Sequence, residues 1–120
     1  DAGGIVFYAN YLKYFERART EWLRRLGINQ SDMAQTEQQL FVVKHVDIEY
    51  QQPAKLDDLL LIRSQITHLG GASVHFAQEA WCNEKRLCQS SIIVVCVDAN
   101  TMRPAKIKPH LRSILEQAQD

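Results

Sequence analysis

Asp1-Ala2-Gly3-Gly4-Ile5-Val6-Phe7-Tyr8-Ala9-Asn10-Tyr11 sets a carboxylate just before a glycine pair and leads through apolar residues into a long amphipathic segment. From Asn10 to Leu26 the apolar residues Tyr11, Phe15, Ala18, Trp22 and Leu26 recur at helical spacing. Glu16, Arg17, Arg19, Glu21, Arg24 and Arg25 fill most of the remainder. That pattern predicts one helix with an apolar stripe and a charged face. Glu21 precedes Arg24 and Arg25 by one turn, a favourable order for exposed ion pairs. Gly27 suits the left-handed residue that ends a helix, and Ser31 is placed to cap a short helical turn through Gln38.

Beyond that turn the period changes. Val42, Val46, Ile48 and Tyr50 share one parity, interrupted by Lys44, while His45, Asp47 and Glu49 take the other; this alternation predicts a strand. Gln51 to Lys55 breaks the run with a proline. Leu59–His68 reads as a second strand, turned back at Gly70-Gly71 into a third over Ala72–Cys82. After a turn at Asn83-Glu84-Lys85, Leu87–Val97 reads as a fourth, whose Ile92-Ile93-Val94-Val95 centre predicts burial on both faces. Pro109–Gln119 can close the chain as a short helix. One long helix and four sequential strands make an α+β pattern, an antiparallel sheet with the helix on one face.

A turn like Asp1–Gly4 can aim a carboxylate and backbone N–H groups at one point near a helix N-terminus, where negative charge is favoured. Acyl transfer needs that pair, a nucleophile or base and donors for the oxyanion. The same spacing also serves an ordinary turn, and spacing alone leaves both readings open.

At 120 residues the chain is one domain, 1–120, with enough length for a single core. Lysine plus arginine equal aspartate plus glutamate at 14 each, so there is no bulk basic footprint for nucleic acid. No apolar run approaches the ~20 residues of a bilayer span, and no segment reads as a signal peptide. Cys82, Cys88 and Cys96 form no Cys-x-x-Cys pair and fall in strand-like segments, as buried thiols of a reducing, cytoplasmic compartment would. His45, His68, His75 and His110 lack metal-like spacing. Ser90-Ser91 has no nucleophile-elbow context.

Several dispersed segments together carry a resemblance. The Asp1–Tyr11 stretch, Phe15-Glu16-Arg17-Ala18-Arg19-Thr20-Glu21, Val46-Asp47-Ile48-Glu49-Tyr50, Pro53-Ala54-Lys55-Leu56-Asp57-Asp58, Val94-Val95-Cys96-Val97-Asp98 and Met102-Arg103-Pro104 occur in order. The chain resembles the hotdog-fold acyl-CoA thioesterases, above all the YbgC-type group, with 4-hydroxybenzoyl-CoA thioesterases as broader relatives. The resemblance implies the hotdog fold, a sheet wrapped around one long helix, and a first β-strand ahead of Asp1 that this sequence does not include.

It also implies chemistry. Asp1 would attack the thioester carbonyl or activate a water, the Tyr8 N–H would hold the oxyanion, and Glu16 would be a supporting carboxylate. Gly4 would let the backbone approach the substrate. Asn10 and Arg103 are further candidate substrate contacts, Arg103 with Lys106 and Lys108 as a basic segment for the phosphates of coenzyme A. Tyr8 stands where the nearest group usually has histidine, so no imidazole-assisted step is expected. Bland readings stand beside these: Tyr8 as a packed aromatic, Glu16 as a surface partner of Arg19, Asn10 as a helix-start residue and the basic segment as a solvated tail. The implied partners are an acyl-CoA substrate and further copies of the chain, as a homodimer or homotetramer, with no cofactor beyond the coenzyme A of the substrate. The rival reading is a non-catalytic partner of acyl carrier protein or of lipid-synthesis enzymes on the same fold.

Overall fold

The computed structural model describes residues 8–55 and 58–119, with side chains from Tyr11 onward. Helix α1 (Tyr8–Arg25) is followed by a short α2 (Gln30–Thr36), then by strands β1 (Gln39–Tyr50), β2 (Leu61–Leu69), β3 (Ser73–Cys82) and β4 (Lys85–Asp98), and by α3 (Pro109–Ala118). The strands form one antiparallel sheet in the order β1-β4-β3-β2. The α+β pattern predicted from periodicity is the architecture observed.

Gly27 adopts φ +93° and ends α1 as expected, with its N–H bonded to Arg24 O. At the β2–β3 hairpin a Cβ on Gly70 would lie 2.6 Å from Ser73 Oγ, so any other residue there would make the serine hydroxyl turn away. The cap of α2 is Asn29 rather than Ser31: its Oδ1 accepts from the Ser31 and Asp32 N–H groups at 2.9 and 3.3 Å. An amide two residues earlier does the job assigned to the serine, because the helix begins two residues sooner than the spacing suggested.

β1 starts at Gln39 and carries a bulge between Val43 and His45, opposite Val94 and Ile93. The extra residue, Lys44, switches the parity of the inner face. Phe41 and Val43 share that face with Val46, Ile48 and Tyr50, whereas Val42 belongs to the other. The double-sided burial expected of β4 is also corrected. Ile92 and Val94 are buried, but Ile93 and Val95 on the outer face are only partly so, because α1 and α3 cover one side alone.

The inner face holds two apolar clusters. Leu23, Phe41, Phe76, Val94, Leu111 and Leu115 belong to the larger, near α3 and the C-terminal half of α1. Tyr11, Phe15, Ala54, Ala80, Leu87 and Cys88 form the smaller, near the helix N-terminus. Between them runs a polar row across three strands, with Ser64 opposite Gln78 and Gln78 opposite Ser90.

Candidate functional site

The line of α1 pressed against the sheet is Tyr11, Phe15, Arg19 and Leu23, each four residues from the next and each at most 9 % exposed. Ala18 and Trp22, which the apolar spacing placed in the stripe, flank it instead. Arg19 is thus not on the charged face. It reaches the polar row, donating from Nη1 to Gln78 Oε1 at 2.7 Å. The Gln78 Nε2 amide donates to Phe15 O at 2.9 Å and to Ser64 Oγ at 3.0 Å, and Ser90 Oγ donates to Gln78 O at 3.0 Å. Burial lowers the pKa of Arg19 by desolvating its charge, and Glu16 opposes that shift. Among the described residues no carboxylate lies within 4.0 Å of the guanidinium.

Beside Arg19 opens a cavity of about 340 Å³ between α1, α2 and β1. Leu23, Ile28, Phe41, Phe76, Val94 and Leu115 give it apolar walls, and Glu16, Thr20, Gln30 and the half-exposed Val43 stand among its remaining lining residues. The α2 wall is fastened by one side chain. Gln30 Nε2 donates to Phe41 O at 3.0 Å, and Phe41 N donates back to Gln30 Oε1 at 3.1 Å.

The sequence candidates divide accordingly. Asp1 and Gly4 lie outside the described residues. Tyr8 is the first residue of α1, where backbone N–H groups have no partner within the helix; its side chain and that of Asn10 lie outside the description. Glu16 is exposed and lines the cavity, two turns from Tyr8, or about 12 Å along the axis. It does not form the surface ion pair with Arg19 that the alternative reading required. Arg103 is exposed in the turn after β4, where its carbonyl accepts from Asp98 N at 2.8 Å. It is not part of the cavity lining. Lys108 is engaged by Glu37 at 3.5 Å.

Spacing gave no warning of Arg19, Gln78 and the cavity. The only available signal was that Arg19 falls four residues after Phe15 and four before Leu23. Nearer the start of α1, Tyr11 is 1 % exposed, its hydroxyl has no hydrogen-bond partner among the described residues, and burial pushes its pKa up to about 12, with Cys88 adding to the shift. Burial likewise raises Cys88, to about 11, and Cys96, in keeping with inert core thiols. Among the described residues no group of three or more His, Cys, Asp or Glu could hold a metal ion, and no helix is long and apolar enough to cross a membrane.

Residues 3–89 match the profile of the thioesterase superfamily. Acyl-CoA thioesterase YbgC of Haemophilus influenzae is 40 % identical over 94 % of this chain and 83 % of its own length. Long-chain acyl-CoA thioesterase FadM of Escherichia coli is 33 % identical over 91 % of this chain and 83 % of its own. Among solved structures, a probable thioesterase from Bartonella henselae superposes with a TM-score of 0.83 at 32 % identity, over 90 % of this chain and 89 % of that one.

Proposed function

We propose that this chain, which belongs to the thioesterase superfamily and is a thioester hydrolase of the hotdog fold, hydrolyses acyl-CoA to a free acid and coenzyme A. In this reading the Asp1 carboxylate attacks the thioester carbonyl or takes a proton from the attacking water. The carbonyl oxygen gains negative charge and is held by the Tyr8 N–H, and the thiolate of coenzyme A leaves. The helix start supports that role for Tyr8, because its N–H groups are free of internal bonds and carry the positive end of the helix dipole. Gly4 allows the close backbone approach, and Asn10 and Arg103 contact the substrate, Arg103 at its phosphates. Glu16 is a supporting carboxylate.

The observation that carries the reading is the position of Glu16 on a partly apolar cavity alongside the helix whose first residue is Tyr8. A thioester suits a carboxylate catalyst, since its carbonyl is electrophilic and a thiolate is a fair leaving group, so the scheme uses no metal or further cofactor. The working unit is a homodimer or homotetramer in the cytoplasm, with acyl carrier protein as an alternative bearer of the thioester.

Thiol release from a panel of acyl-CoAs tests this. Turnover that vanishes in Asp1→Asn while the fold is kept supports the mechanism, and a loss of about a hundredfold or more is expected. Equal activity in both proteins removes Asp1 from the chemistry. Acyl binding without turnover in the native protein would instead mark a non-catalytic carrier-protein or lipid-synthesis partner.

A further inference from the structure

We infer that the cavity beside Arg19 selects long acyl groups whose far end bears a carboxylate, with Arg19 as the residue that reads it, an inference that rests on the acyl-CoA reading above. Two features of the cavity pull in different chemical directions. Part of its wall, at Leu23, Ile28, Phe41, Phe76, Val94 and Leu115, is hydrocarbon, while Thr20, Arg24, Asn29 and Ser31 add polar groups elsewhere on the lining. Among them lies a guanidinium that is 8 % exposed and has a neutral amide, Gln78, as its hydrogen-bond acceptor at 2.7 Å.

A guanidinium carries five N–H donors, and a buried charge is costly unless an opposite charge or several acceptors meet it. Gln78 Oε1 takes a bond from one nitrogen and supplies no charge. Glu16 is on the same cavity but outside ion-pair distance. A ligand carboxylate entering the cavity would supply both the charge and the acceptors, in the two-pronged geometry a guanidinium favours. A ligand ending in methyl would bury its chain against the walls and leave the cation as it was.

Length follows from the helix. Arg19 lies three turns past Tyr8, about 16 Å along the axis, so a thioester carbonyl held at the Tyr8 N–H reaches Arg19 only through a long chain. Acetyl and propionyl groups would stop far short. The far carboxylate takes no part in bond making; it fixes where the chain ends.

The test compares dodecanoyl-CoA and tetradecanoyl-CoA with their ω-carboxylated counterparts on the native protein, Arg19→Met and Val43→Trp. The native protein should favour the ω-carboxylated substrates by about tenfold to a hundredfold in kcat/KM, the range of a charge-assisted bond to substrate. Arg19→Met should abolish that preference, bringing the kcat/KM ratio of ω-carboxylated to unsubstituted substrates to about one. An unchanged ratio in a folded Arg19→Met overturns the proposal.

Calorimetric titration with dodecanedioate separates it from the hydrolase reading. If no acyl-CoA is turned over, native binding of the diacid that is lost in Arg19→Met still upholds the cavity's selectivity, and absence of binding overturns it. Should Arg19→Met fail to fold, Val43→Trp obstructs the half-exposed side of the cavity without touching the Arg19–Gln78 bond. Diacid binding must then weaken by at least about tenfold, and unchanged binding overturns the site.

Discussion

Gln78 has no exposed surface, and its side chain holds three partners at once: Arg19, the Phe15 carbonyl and Ser64. Gln78→Leu keeps the volume but leaves a buried guanidinium without its acceptor. The expected loss is about 1–3 kcal/mol, read as a lower urea midpoint with an unchanged m-value. Tyr11 makes a different prediction. Its pKa is raised from 10.0 to about 12 because the folded state disfavours the phenolate. The unfolded chain therefore releases that proton first, so the stabilisation is complete below pH 10 and is lost as pH rises through about 12. Tyr11→Phe should flatten the decline in stability over that window. Neither residue was legible beforehand in its role. Tyr11 was read as core from its spacing, and its orphaned hydroxyl is a matter of packing. Residue type places Arg19 on the charged face, whereas its position in the four-residue series from Tyr11 to Leu23 places it against the sheet.

Among the elements, α2 shows how little chain is needed to wall a cavity. Seven residues are held by the Asn29 cap at one end and by the Gln30 amide on Phe41. Asn29→Ala should cost about 1 kcal/mol, the usual price of a lost N-cap. Gln30→Ala should cost about 1–3 kcal/mol for two lost bonds, with faster amide exchange at Phe41 as the local readout. The strands were legible from alternation, and their ends fell within a few residues of the observed bounds. The Lys44 bulge was legible only as an interruption. A one-residue insertion changes which side chains share a face without changing their types, so sequence could mark the place but not the switch of parity. The proposed catalytic residues at the helix start are legible only through resemblance, whereas the cavity arises from elements distant in sequence.

At the scale of the whole molecule, charge is balanced overall yet arranged locally. On the outer face Arg86 donates to Glu79 at 2.8 Å and Trp81 Nε1 donates to the same carboxylate at 3.2 Å. The hydrogen bond from Arg86 leads the causes that hold the Glu79 carboxyl below its ordinary value. A depressed pKa stabilises the fold above the unfolded value and ceases to do so as pH falls through the folded one. Arg86→Leu should therefore reduce stability at neutral pH and shrink the difference from native in acid, as followed by thermal melts across pH 2–7. The sheet itself ends, among the described residues, at β1 and β2. At Phe41 both main-chain groups on the open side of β1 are taken by the Gln30 amide. A side chain there imitates the neighbour a strand would otherwise recruit. Any further strand laid along β1 must thus begin beyond Phe41, which gives sheet growth in that direction a fixed starting mark and denies stray chains the first rungs of the ladder.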